Sequence, residues 1–176
     1  MTGEPADAAT PSTVPGMGLY GRLLADLEAA GARYRLIDHP PEGRTELVSA
    51  LRGHDAAQAA KCLVVMVKAG KKQTRYALTV VPGNARVDLH AVKALLAGTY
   101  AAFAGQDKAE ELAGSGSGTI LPFSYHPRLE VIADPALLEA PELFFNAARL
   151  DRSIALATED YVRLAAPRIA RITTAP

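Results

Sequence analysis

Lys61 stands directly before the apolar run Cys62-Leu-Val-Val-Met-Val67. An ammonium at a strand end can point into a cleft, where it would hold a phosphate or stabilise negative charge on an attacked carbonyl. The plainer reading is a strand-end charge that snorkels to water, and position alone favours it. A second candidate is the loop Gly114-Ser-Gly-Ser-Gly-Thr-Ile-Leu-Pro-Phe123. Its glycines permit positive φ and close approach of a ligand, and its run of backbone N–H groups suits a carboxylate, a phosphate or a developing oxyanion. Pro122 fixes the exit of that loop. From the loop alone, a flexible surface connection is the stronger reading.

Cys62 next to a lysine invites a nucleophile, but strand alternation turns it to the opposite side from Lys61, as a small buried hydrophobe. His39, His54, His90 and His126 show no ligand spacing; His126, nearest the glycine loop, is the one to consider at a site. Arg163, Arg168 and Arg171 could touch phosphates, although a solvated face explains them as well. No Walker loop, zinc-ligand pairing, nucleophile elbow or carboxylate pair is present. Gly114–Gly118 does not fit Gly-x-Gly-x-x-Gly and has no strand immediately before it, which discounts a dinucleotide site.

The elements that must position these residues follow from periodicity. Leu19, Leu23, Leu24 and Leu27 form a helical stripe over 19–30, stopped at Gly31. Residues 33–39 alternate as a half-buried strand. Short helices are expected over 46–52 and 55–60. The β-branched run 62–67 reads as a buried strand that returns over 75–81 as a hairpin. Asp88 caps a helix carrying Leu89, Val92, Leu95 and Leu96. A small strand over 100–104 and a helix over 106–113 precede the glycine loop. Strands follow at 129–132, 142–146 and 153–156, and Thr158 caps a last helix with Glu159 and Asp160 in its first turn. Helices interleave irregularly with hairpin-linked strands, so the fold class is α/β of the α+β type, with a mixed, largely antiparallel sheet and surrounding helices.

The 176 residues fit one domain over 17–176 behind a disordered tail, 1–16, that lacks the basic start and apolar run of a secretory signal. No stretch approaches the roughly 20 apolar residues of a membrane span. One cysteine suits a reducing cytoplasm. With 19 basic and 19 acidic side chains, coating of nucleic acid by bulk charge is excluded, though a local patch is not.

Several segments together resemble the YbaK/ProX family, freestanding relatives of the editing domain in bacterial prolyl-tRNA synthetase. They are Leu36-Ile-Asp-His-Pro40 with Thr45-Glu46, the stretch Leu51 to Val64 with its lysine before an apolar strand, Val80-Val-Pro82 with Arg86-Val-Asp88, Gly118-Thr-Ile-Leu-Pro122 as Gly-x-x-x-Pro, and Leu143-Phe-Phe-Asn-Ala-Ala-Arg149 leading to Arg152–Leu156 and Asp160–Leu164. Each motif is weak alone, but five in order are strong, and they cover about residues 20–172. Ala148 departs from the family glycine, so either the backbone there is unstrained or the pocket wall has shifted. The extra glycine and serine before Gly118 imply a more mobile loop.

The resemblance implies a hydrolase that cleaves the ester of mischarged aminoacyl-tRNA carrying alanine, serine or threonine. Lys61 and Gly118 would then be catalytic, the former electrostatically and the latter through backbone contacts. Thr119, Ile120, Leu121, Pro122 and His126 would bind substrate, with Thr119 supplying a hydroxyl. Water would attack, helped by the substrate's vicinal hydroxyl, because an activated ester needs positioning more than a protein nucleophile. No metal and no cofactor are expected. The partner is the acceptor end of aminoacyl-tRNA, with an aminoacyl-tRNA synthetase left open as a further one, and neither a membrane nor DNA. The rival reading is a non-catalytic module that senses an aminoacyl ligand, or a fragment acting only with a synthetase.

Overall fold

In the computed structural model, which describes residues 18–174, the two apolar faces of a central hairpin organise the chain. Strands β2 (Ala60–Ala69) and β3 (Gln73–Pro82) pair antiparallel from Ala60↔Pro82 to Ala69↔Gln73. Their apolar side chains alternate: Val64, Leu78 and Val80 enter one core, while Val65, Val67, Ala77 and Val81 enter the other. β4 (Tyr100–Phe103) adds antiparallel to β2, whereas β5 (Leu129–Ala133) adds parallel to β3. A two-residue strand, β8 (Arg168–Ile169), closes the far edge of this five-stranded sheet.

A second, three-stranded antiparallel sheet has the order β1 (Tyr34–Asp38), β7 (Arg152–Ala157), β6 (Glu142–Asn146). Leu143, Phe145, Ile154 and Leu156 from it meet Val64, Leu78 and Val80 in the larger core. Leu23 and Leu27 of α1 (Gly18–Ala29), Leu112 of α4 (Gln106–Ala113) and Tyr161 of α5 (Thr158–Ala165) complete that core. The other core lies under α3 (Leu89–Leu95), through Val92 and Leu96. α2 (Thr45–Arg52) stands beside the hairpin. None of the described helices is long and apolar enough to cross a membrane.

The expected mixed and largely antiparallel arrangement is found, divided into two sheets. The strands at 100, 129, 142 and 153 fall within a residue or two of their expected bounds. Asp88 caps α3 as expected, accepting from His90 N and Ala91 N. Two expectations need correction. The helix over 55–60 is a single 3₁₀ turn, Ala56–Gln58, capped by Asp55, because β2 already begins at Ala60. Thr158 is not the cap of α5: it is the first helical residue, its neighbour Ala157 holds the cap position, and the Thr158 hydroxyl donates to Ala140 O.

The backbone at Ala148 has φ of 62°, so it is strained after all. A Cβ in the left-handed region costs about 1–2 kcal/mol. The glycine-rich loop is tied down as well: Glu110 accepts from the Ser117 N–H at 3.0 Å and its hydroxyl at 3.1 Å, and Ser115 bonds Thr119. The expected tail, 1–16, lies outside the described residues.

Candidate active site

β2 pairs with β4 only over Val65–Lys68, so no strand among the described residues pairs with its edge at Lys61–Leu63. Beside that edge opens a cavity of about 320 Å³, bounded by α2 and the end of β6 and by Gly43 and Gly118. Lys61, Gly118 and Ile120 are brought together there. Thr119 is not: its hydroxyl donates to Gly116 O at 2.6 Å within its own loop, and the residue borders a separate depression with Tyr20 and Arg149. Leu121 is buried in the larger core and Pro122 gives its carbonyl to the Tyr161 hydroxyl at 2.9 Å, so both hold the loop instead of lining the cavity. His126 sits in the turn before β5, its Nδ1 accepting from Arg128 N at 3.0 Å, and does not line the cavity.

The Lys61 ammonium is half-buried and donates to the Ala85 carbonyl. Burial pulls its pKa below the ordinary lysine value, nearby Glu46 opposes that, and Arg86 adds to it. Its partner is a neutral carbonyl, so the positive charge is left for an incoming group. Cys62 lies on the core side of the strand, as alternation requires, and burial pushes its thiol far above the usual range. A thiol in that state is not a nucleophile.

The wall opposite Lys61 is held by a network that periodicity did not reveal. Asn146, at the end of β6, donates from Nδ2 to Gly118 O at 2.8 Å and to Glu42 O at 2.9 Å. It thereby ties two loops whose glycines touch. A Cβ on Gly118, where φ is +86°, would lie 2.9 Å from Gly43 Cα, so glycine is required at that crossing. The Gly118 N–H finds no acceptor among the described residues.

Behind Asn146, the buried Ser153 hydroxyl contacts Asn146 Oδ1 at 2.9 Å, His39 Nε2 at 2.7 Å and Arg52 Nη1 at 3.1 Å. A hydroxyl has one proton and two lone pairs. Oδ1 can only accept, so it takes the Ser153 proton, Arg52 donates into the same oxygen, and His39 Nε2 packs against it while His39 Nδ1 meets the Pro40 carbonyl at 2.9 Å. Ser153 is therefore saturated and has no exposure, which removes it as a nucleophile despite the adjacent histidine. Arg52 borders the cavity with no carboxylate beside it among the described residues, and burial draws its guanidinium down to about 10. Arg44, also at the cavity, is paired with Glu42. No carboxylate lines this cavity among the described residues.

Such a pocket, small, cationic and walled by backbone, favours developing negative charge on a compact acyl group. The sequence model described as "Aminoacyl-tRNA editing domain" matches residues 39–164, which contain the whole of this cavity. The chain belongs to that family.

Its similarity to other editing-domain proteins extends beyond the matched span. It is 38% identical over 151 residues to the Multifunctional Ser/Thr-tRNA deacylase ProXp-y of Escherichia coli K12, covering 85% of this chain and 90% of that protein. The same values hold for the protein of that name from Escherichia coli O157:H7. Two solved structures share the fold. The hypothetical protein APE2540 matches with a TM-score of 0.78 and 19% identity, covering 87% of this chain and 99% of that one. A candidate trans-editing enzyme for prolyl tRNA synthetase matches with a TM-score of 0.73 and 22% identity, covering 89% and 97%.

Proposed function

We propose that this chain hydrolyses the ester between a small amino acid and the terminal adenosine of mischarged tRNA, with serine and threonine foremost and alanine beside them. The observation that carries this reading is the cavity itself, a space of about 320 Å³ that Lys61 and the glycine wall at Gly118 line together. The name of the 38%-identical relative, a Ser/Thr-tRNA deacylase, supports the substrate class.

In this reading, the ester carbonyl lies between Lys61 and Gly118. Water adds to the carbonyl carbon, and the oxyanion is stabilised by the ammonium and the unpaired Gly118 N–H. The C–O bond then breaks, the amino acid leaves as its carboxylate, and the ribose oxygen takes up a proton. The vicinal ribose hydroxyl helps place the water. Ile120 borders the acyl group, and Asn146 sets the distance between the two loops. Thr119, Leu121, Pro122 and His126 are left outside substrate contact. One methylene is worth only about 1–3 kcal/mol in a pocket, so alanine, serine and threonine overlap as substrates.

Residues 17–176 are read as one domain, supported by two cores that share the β2–β3 hairpin. The substrate points to the cytoplasm, and a synthetase that hands over the charged tRNA fits the same reading. The test is a deacylation panel with tRNAs charged with alanine, serine, threonine and a bulky amino acid. Release of the small ones and sparing of the bulky one is expected. Binding of charged tRNA without turnover of any would replace the enzyme by a sensing module.

A further inference from the structure

The ester cavity holds an acyl group and little more, so the terminal nucleotides must leave it along a neighbouring surface. Two depressions begin at residues next to its lining, Thr119 beyond Gly118 and Ala85 beside Lys61. One, beyond Gly118, contains Arg149, which is already paired with Asp151 at 2.9 Å. The other is larger, about 780 Å³, and begins at Ala85, the residue whose carbonyl receives the Lys61 ammonium. Arg86 and Arg171 stand on it, both exposed and without an acidic partner among the described residues.

The backbone beneath those arginines is fixed. Thr174 N donates to Arg86 O at 3.0 Å, Asp88 N donates to Ile172 O at 2.7 Å, and Val87 bridges Thr173. Asp134 is buried at the bottom, where its carboxylate is spent on Ala136 N, Ile172 N and the Thr173 hydroxyl. Glu139 is the one exposed carboxylate on the rim among the described lining residues. Arg86 follows Ala85, whose carbonyl receives the Lys61 ammonium, so its backbone stands next to the edge of the ester cavity.

We propose that this groove is the track for the single-stranded acceptor end, with Arg86 and Arg171 holding the phosphates that precede the terminal adenosine. The inference rests on the deacylase reading. It explains how a chain with no net charge grips a polyanion: two local guanidinium groups stand beside the ester site, so no general basic surface is needed. Asn84 and Thr173 add polar groups along the same wall.

The test compares two substrates that share the ester: seryl-tRNA and seryl-adenosine, which carries no phosphate. Wild type, Arg86→Ala, Arg171→Ala, the double variant and Arg86→Lys are assayed at several salt concentrations. Circular dichroism checks their folding. For seryl-tRNA, the double variant is expected to raise KM on the order of tenfold at low salt, with kcat retained. The slope of log KM against log salt should fall by about 0.7 per lost single-strand phosphate contact. Seryl-adenosine kinetics should change by less than twofold, and Arg86→Lys should retain most of the tRNA affinity. Equal losses on both substrates, or no change on either, would overturn the groove. If wild type hydrolyses neither ester, the deacylase reading fails instead.

Discussion

Asn146→Ala separates positioning of the loops from the chemistry beside them. The side chain is 7% exposed and makes three hydrogen bonds, at 2.8, 2.9 and 2.9 Å. Each is worth about 1 kcal/mol net, and the carbonyls at Glu42 and Gly118 can be rehydrated from the adjoining cavity, so no further penalty for stranded acceptors is added there. The expected loss is about 3 kcal/mol, or roughly 6–12 °C in Tm for a chain of this size. Untied, the Gly118 loop drifts from the Lys61 ammonium, and a displacement near 1 Å can cost on the order of 10²-fold in rate. Asn146→Asp keeps the acceptor for Ser153 but removes both donors, so it should lose kcat/KM to a similar degree. Thermal unfolding and single-turnover deacylation of seryl-tRNA measure the two effects. If both variants keep kcat/KM within twofold of wild type, the reasoning about loop positioning is refuted, whatever happens to stability.

Three further outcomes follow from the structure. Ala148→Gly relieves a left-handed alanine worth about 1–2 kcal/mol against about 0.5–1 kcal/mol of extra chain entropy, so Tm should rise by about 2 °C; an unchanged or lower Tm would count against strain there. Deacylation corrected for spontaneous hydrolysis should fall at alkaline pH as Lys61 loses its proton, at a pH below the ordinary lysine value of 10.5; a rate that keeps rising past that point would exclude the charged form. Asp160 joins α5 to Arg33, the residue before β1: the backbone N–H and guanidinium of Arg33, and then Arg163, hold its carboxyl well below the usual value of 3.8. Its stabilisation is complete above the unfolded-state value and is lost as pH falls through the lower folded one. Asp160→Asn should therefore have a lower Tm at pH 7 and converge on wild type in strong acid, and a gap independent of pH would contradict the linkage.

The sequence disclosed what is local. The run 62–67 and its return over 75–81 alternate strongly enough to place the hairpin that splits the two cores, and Lys61 could be set at its end from spacing. Gly118 followed by Pro122 is assigned to the site only through the family resemblance, and the structure supplies the reason for the glycine, a crossing of two backbones. What stayed hidden depends on pairing at long range. Arg168–Ile169 is too short and too exposed to carry a strand signal; only parallel pairing with Ile132–Ala133 makes it one. Asn146, Ser153, His39 and Arg52 lie on different elements, and nothing in their spacing says that one hydroxyl collects three of them. A polar residue closing an otherwise apolar strand, Leu143-Phe-Phe-Asn146, was the one available hint. Conversely, proximity along the chain misled at Thr119 and His126, whose side chains are consumed by their own turns.

The central claim is that the Lys61 charge stabilises the reacting ester. Its most direct measurement is single-turnover deacylation of seryl-tRNA by wild type and by Lys61→Met, which keeps the apolar stem and removes the ammonium. Loss of one such electrostatic group predicts a fall in rate of roughly 10²–10³-fold with Tm essentially unchanged. Deacylation by Lys61→Met within twofold of wild type would contradict the account.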